Sequence, residues 1–372
     1  MKILHICSYY WGSQLYRRLF DALARQPVNG GIQNLVYVPV TKQTEFAVDA
    51  DDVVESTCFS RWDALAFHWK HRKIYRDIQE KVTVPEAEGI HAHSLFSNGY
   101  IAYRLKQRYN IPYVVAVRNT DLNVFFRYMR HLRPLARSIL DNASAVIFLS
   151  EAYRQAVITK YIPQEMRARL AAKSRVIPNG IDPYWLANIP SGESPVPAKD
   201  IRLVYAGEIT KNKNIEATAR ACQILMQKGY APRFSVVGPV CDQRVAERLG
   251  KYPFLSMEPA LPKEKLLPFM REQDIFVMPS FTETFGLVYA EAMSQGLPVL
   301  YTRGQGFDRQ FEEGTVGYHV DCRSPQDIAD RILDCLANYR QISRNCTALC
   351  DKFNWDSIAS QYAAIYTSLR RK

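Results

Sequence analysis

No stretch of the chain approaches the roughly 18 consecutive apolar residues that a membrane-spanning helix requires, and its longest apolar runs are only as long as a strand. The N-terminus, MKILHICSYYWG, lacks a cleavage-site pattern after a long apolar core, so no secretory leader is expected. Eight cysteines are scattered without a C-x-x-C pair or a repeating spacing. That argues against a disulfide framework or a zinc site, and for reduced thiols used as packing residues in a cytoplasmic protein. Internal repeats, low-complexity tracts and recognised nucleic-acid motifs are also missing, and no full G-x-G-x-x-G follows the first strand. What remains is a chain of 372 residues, 47% hydrophobic and 23% charged, with the composition of a globular protein and enough length for two cores.

Short apolar segments alternate with amphipathic ones, the pattern of an α/β fold with parallel sheets. They do so twice. The first set of expected strands is Lys2 to Cys7, Leu35 to Val40, Ile90 to His93, Tyr113 to Val117 and Ala145 to Leu149. The second is Ile201 to Tyr205, Arg233 to Val237, Asp274 to Met278 and Leu297 to Tyr301. Between the sets, residues 189–197 are too rich in proline for a helix or a central strand and read as a linker. The expected organisation is an N-terminal Rossmann-like domain over 1–182 and a second over 183–354. A final amphipathic helix over 355–372 carries Ile358, Tyr362, Ile365 and Leu369 at helical spacing.

Charge is uneven along the chain. Residues 1–180 carry 25 Lys and Arg against 15 Asp and Glu, whereas residues 181–372 carry 23 against 22, so nearly all of the net +11 lies in the first half. Two basic stretches there are interleaved with aromatics, Phe67 to Arg76 and Phe125 to Arg133. Such segments suit an anionic lipid surface, each cation adding on the order of 1 kcal/mol, or they form a solvated basic face. Nucleic acid is the weaker reading of the same charge.

The richest segment is PSFTETFGLVYAEAMSQGLPV, beginning at Pro279. A buried strand ends before it, and a helix is expected from Gly286 to Gln295, stopped by Gly296 and Pro298. Glu283 then lies on the loop and Glu291 inside the helix, with seven residues between them. The N–H groups of Phe285, Gly286 and Leu287 would face out of the helix start, where unpaired donors and the positive dipole end favour an anion such as phosphate. Carboxylates accept hydrogen bonds from vicinal hydroxyls. An anion cradle between two carboxylates fits a nucleotide sugar.

These residues resemble the E-x7-E motif of glycosyltransferase family 4, retaining enzymes of the GT-B architecture that include builders of bacterial cell-surface polysaccharides. The resemblance extends over Pro279-Ser280, Phe285-Gly286-Leu287, Glu291-Ala292-Met293 and Gly296-x-Pro298-Val299, and to Val176 to Asp182 at the entrance of the second domain. It implies two Rossmann-like domains facing across a cleft, with no metal required. Glu283 would contact the transferred sugar, the amides of Thr284 to Leu287 the diphosphate, and Glu291 the ribose. Tyr205 to Asn214 resembles the family's strand-end motif, a glycine, then an arginine, then a lysine five residues later. Gly207 and Lys213 match it, and Lys213 would steady the departing phosphate. Glu208 stands in the arginine's place, and Arg303 is the candidate to replace that cation or to pair with Glu208. At the end of the Tyr113 strand, Arg118, or Asn119 after a shift of one, occupies the place of a histidine found in many relatives. Arginine stays protonated and serves to bind rather than to shuttle protons, while Asp121 would orient an acceptor or take a proton. His91 and His93 share one strand face, and His93 is the candidate to line the cleft. No third metal ligand is visible beside them. Gly12 marks the first strand-to-helix turn, where backbone can approach a ligand.

The implied activity is transfer of a sugar from a nucleotide-sugar donor, UDP-linked in preference to GDP-linked, to a hydroxyl of a glycan or lipid-linked acceptor, with retention. The expected setting is the cytoplasm, with peripheral contact to the inner face of a membrane and no nucleic-acid partner. Two alternatives stay open: a nucleotide-sugar epimerase of the same architecture, and a donor-binding protein that has lost catalysis, which Glu208 and the missing histidine would suit.

Overall fold

In a computed structural model, residues 1–12, 14–28, 30–41, 52–192 and 195–369 are described. Glu193 and Ser194 of the expected linker, and the last three residues of the expected C-terminal segment, lie outside them. The chain divides into two compact units. The first comprises residues 1–149, 153–180 and 355–372, and the second comprises 150–152 and 181–354.

The first unit is built on a parallel sheet of β1 (Lys2–Ile6), β2 (Gln33–Val40), β3 (Val53–Thr57), β4 (Gly89–Ala92), β5 (Tyr113–Val117), β6 (Ala145–Phe148) and β7 (Ser174–Val176), in the order β3-β2-β1-β4-β5-β6-β7. Every residue of β4, β5 and β6 is buried, as a parallel sheet covered on both faces demands. Alternation divides β5 between two cores. Val115 and Val117 pack with Ile74, Ile78, Ile101 and Ile139 on one side, while Val114 and Ala116 pack with Leu19, Phe20, Tyr362 and Tyr366 on the other. The second face is covered by helices Leu15–Ala24 and Trp355–Leu369, which pack on each other.

The second unit holds β8 (Asp200–Ala206), β9 (Ala231–Val237), β10 (Leu255–Glu258), β11 (Ile275–Met278), β12 (Val299–Thr302) and β13 (Gly317–Val320), ordered β10-β9-β8-β11-β12-β13 and parallel throughout. In each unit the strand order reverses beside the first strand, at β1/β4 and at β8/β11. Loops leaving the carboxyl ends of such a pair diverge and open a crevice, the usual ligand position in open α/β sheets. Among the described residues no helix is long and apolar enough to cross a membrane, and five of the eight free cysteines are buried.

Candidate functional site

The loops after β8 and β11 meet at the switch point of the second unit. After β8 the chain runs through Gly207 and Glu208 to a short turn at Lys211–Lys213. Tyr205 Oη donates to the Glu208 carbonyl at 2.7 Å and pins the start of this loop. Its far end is stitched to the loop after β11. Asn212 Nδ2 donates to Thr282 O at 2.8 Å, Phe281 N to Asn212 O at 2.8 Å, and Asn214 Nδ2 to Pro279 O at 3.1 Å. Asn214 adopts the left-handed conformation, with φ of 53°, which asparagine tolerates better than most residues. These contacts bring Lys213 Nζ to 2.6 Å from Glu283 Oε2, both side chains largely shielded from solvent.

Glu283 is held from a third side. Its N–H donates to Gln305 Oε1 at 2.9 Å and its carbonyl accepts from Gly306 N at 3.2 Å, while its own Oε1 accepts from Thr284 N at 3.0 Å. Gly306 is required here, because a Cβ at that position would lie 1.8 Å from the Thr284 carbonyl oxygen. The helix Leu287–Ser294 follows, with Gly286 at its N-cap at φ of 73°. A side chain at 286 would strike the Tyr289 ring at 2.6 Å. Phe285 is buried, and Glu291 sits one turn into the helix. Glu291 lines a pocket of about 270 Å³ together with Gly207, Gly238, Pro239, Leu261 and Val288. Thus Glu283, Thr284, Gly286, Leu287, Glu291, Lys213 and Gly207 gather around one switch point. Glu208 and Arg303 are both exposed, and no ion pair joins them among the described residues.

The candidates of the first unit divide differently. Asp121 is buried, and its carboxylate accepts from the N–H groups of Arg118 (2.8 Å), Leu95 (3.0 Å) and Phe96 (3.1 Å). It thereby ties the end of β5 to the start of helix Ser97–Tyr109. Burial outweighs those hydrogen bonds and raises its pKa to about 6. Arg118 is also buried, its Nε donating to the His93 carbonyl at 3.2 Å and its guanidinium lying 5.9 Å from the centre of the Tyr16 ring. Asn119 Oδ1 accepts from Asn123 Nδ2. His93 has no solvent-accessible surface and faces inward, with its Nε2 3.1 Å from His5 Nδ1. Gly12 ends the short helix Tyr10–Gly12 that follows β1.

The family model described as glycosyl transferases group 1 matches residues 191–348, and that described as glycosyltransferase family 4 matches residues 17–185. The two matches fall on the two units. The chain is a GT-B glycosyltransferase. The glycosyltransferase is similar to the D-inositol 3-phosphate glycosyltransferase of Streptomyces griseus, with 25% identity over 314 residues, and it covers 66% of that relative's length. In fold it resembles a sucrose-phosphate synthase from Thermosynechococcus elongatus, with 19% identity, a TM-score of 0.74 and 99% of each chain covered. A second solved relative is Anabaena HepE in complex with UDP and glucose, with 20% identity, a TM-score of 0.67 and coverage of 99% of this chain and 100% of that one.

Sequence reasoning passes over the residues that brace this glycosyltransferase's site: Asn212, Asn214, Gln305 and Gly306. Their partners lie 65 or more residues away for the asparagines and about 22 away for the 305–306 pair, so no local pattern marks them. His5 is missed for the same reason, although its place on β1 repeats the strand-end histidines of β4.

Proposed function

We propose that the protein transfers a sugar with retention from a nucleotide-sugar donor, UDP-linked in preference to GDP-linked, to a hydroxyl of a glycan or lipid-linked acceptor. The observation that carries this reading is the Lys213–Glu283 pair, 2.6 Å apart beside the Gly286 helix start. The diphosphate would lie on the amides of Gly286 and Leu287, with the ribose hydroxyls on Glu291 and the base in the adjoining 270 Å³ pocket. Glu283 would hold the sugar's hydroxyls. As the bond from the anomeric carbon to the phosphate oxygen breaks, charge grows on the leaving diphosphate, and Lys213 with the helix-start amides stabilises it. The acceptor oxygen then bonds to the same face of that carbon, and its proton passes to the departing phosphate. The step as drawn uses no metal ion.

The lipid-linked acceptor is supported by the surface of the first unit. Phe67 packs against Phe125, with ring centres 6.1 Å apart, so the two basic aromatic stretches form one region. Trp62, Trp69 and Tyr128 are exposed there, Trp62 at 82%, among Lys70, Arg72, Arg127 and Arg130. Exposed tryptophans among cations suit a headgroup layer.

The deciding experiment incubates the purified protein with a panel of UDP- and GDP-sugars, with and without lipid-linked and free glycan acceptors, and identifies products by NMR. Acceptor-dependent release of UDP with an unchanged anomeric configuration supports the proposal. An epimerised sugar nucleotide in the absence of acceptor, or tight binding without turnover across the panel, sinks it.

A further inference from the structure

The parallel register places His5 of β1 directly beside His91 of β4, and alternation puts His93 on the same side as His91. All three rings are fully buried under helices Leu15–Ala24 and Trp355–Leu369, against Phe20, Tyr16 and Tyr362. One ring nitrogen from each lies within 4.8 Å of those of the other two.

Hydrogen bonds determine part of the protonation. Asn34 Nδ2 donates to the Phe20 carbonyl at 3.1 Å, so the amide oxygen is the end that meets His5 Nε2, at 3.0 Å. That oxygen can only accept, so His5 carries its proton on Nε2 and a lone pair on Nδ1. The lone pair points at His93 Nε2, 3.1 Å away. His91 Nδ1 is occupied by Tyr366 Oη at 2.6 Å. His91 Nε2 and His93 Nδ1 are buried without a hydrogen-bond partner, a condition that folded proteins normally avoid.

We propose that His5, His91 and His93 bind one divalent transition-metal ion of the borderline class, zinc foremost, through one imidazole nitrogen each. Three neutral imidazoles are a known zinc donor set, with a fourth position left for another ligand. Asn34 on the outer nitrogen of His5 and Tyr366 on that of His91 fix the tautomer and orientation of those two rings. An ion here satisfies a nitrogen otherwise orphaned and ties β1 to β4 at the switch point of the first unit. The guanidinium of Arg118, held by the His93 carbonyl, opposes a dication, and the neighbouring Asp121 carboxylate offsets it. The site lies in a different unit from Lys213 and Glu283, and the transfer step proposed above is written without a metal ion. No ring nitrogen of the cluster reaches solvent, so loading accompanies folding.

The test unfolds the full chain in denaturant with a chelator, removes the chelator, and refolds with or without Zn²⁺ or Co²⁺. We expect one ion per chain by elemental analysis, a four- or five-coordinate Co²⁺ absorption band, and a higher Tm in the metal-refolded protein. His5→Gln and His91→Gln should each weaken retention at least tenfold. Because either variant can fail to fold, X-ray absorption on the zinc-loaded wild type decides independently. A shell of about three imidazole nitrogens at roughly 2.0–2.1 Å supports the site. Substoichiometric metal, or a shell dominated by carboxylate oxygen as at Asp308, Glu313 and His319, overturns it. Loss of transferase activity with intact metal binding would instead count against the transfer reading alone.

Discussion

Lys213 and Glu283 stand 70 residues apart in the chain and 2.6 Å apart in space, joined because two strand-end loops converge at the β8/β11 switch point. One residue carries the charge suited to a leaving phosphate and the other the carboxylate suited to a sugar. If Lys213 stabilises charge that grows only in the transition state, Lys213→Ala lowers kcat by about 10²- to 10³-fold while changing the donor KM little. Steady-state kinetics with saturating acceptor would show it. A variant with raised KM and unchanged kcat would assign Lys213 to ground-state binding instead.

Glu291 lines the pocket beside Gly207 and Val288, and its removal should act on binding. Hydrogen bonds to a charged group contribute about 1.5–3 kcal/mol, so Glu291→Gln should weaken donor affinity roughly 10- to 100-fold. Isothermal titration with UDP-sugars measures this directly, and an unchanged dissociation constant would remove Glu291 from the donor site.

Gly306 tests the brace behind Glu283. Alanine there brings a methyl group to 1.8 Å from the backbone oxygen of Thr284, so the 283–285 loop must move. We expect Gly306→Ala to cost about 1–3 kcal/mol of stability and at least tenfold in kcat, read by denaturant melts and kinetics. Wild-type values for both would show that the loop yields without consequence.

His71 provides a pH test away from the site. It is buried, Nδ1–H donates to Phe67 O at 2.6 Å, and burial lowers its pKa to about 4. Its folded value lies below the unfolded 6.5, so its neutral form stabilises the fold above pH 6.5. That stabilisation is lost as pH falls from 6.5 through 4, at up to about 1.4 kcal/mol per unit. The difference in unfolding free energy between wild type and His71→Gln should therefore shrink on acidification across this window. A difference independent of pH would show that His71 does not titrate there.

How much was legible in advance varies element by element. The expected central strands correspond to β1, β2, β4, β5, β6, β8, β9, β11 and β12, because a strand covered on both faces must be apolar along its length. The strands left unread are β3, β7, β10 and β13, which are the edges of the two sheets. An edge strand is half-solvated, so VVEST, SRV, LSME and GYHV carry too little apolar patterning to stand out. The helix expected from Gly286 begins at Leu287 with Gly286 as its cap.

The sequence by itself determined the two-unit α/β organisation and the placing of Glu283 in the loop after a buried strand and of Glu291 in the helix that follows, because apolar periodicity, glycine placement and residue spacing are local properties of a chain. Tertiary structure alone decided that Lys213 meets Glu283, that Asp121 spends its carboxylate on three backbone amides, and that His5 joins His91 and His93. Those relations depend on strand order and parallel register, which bring distant residues side by side, and no pattern within a few residues of each encodes the partner it will meet.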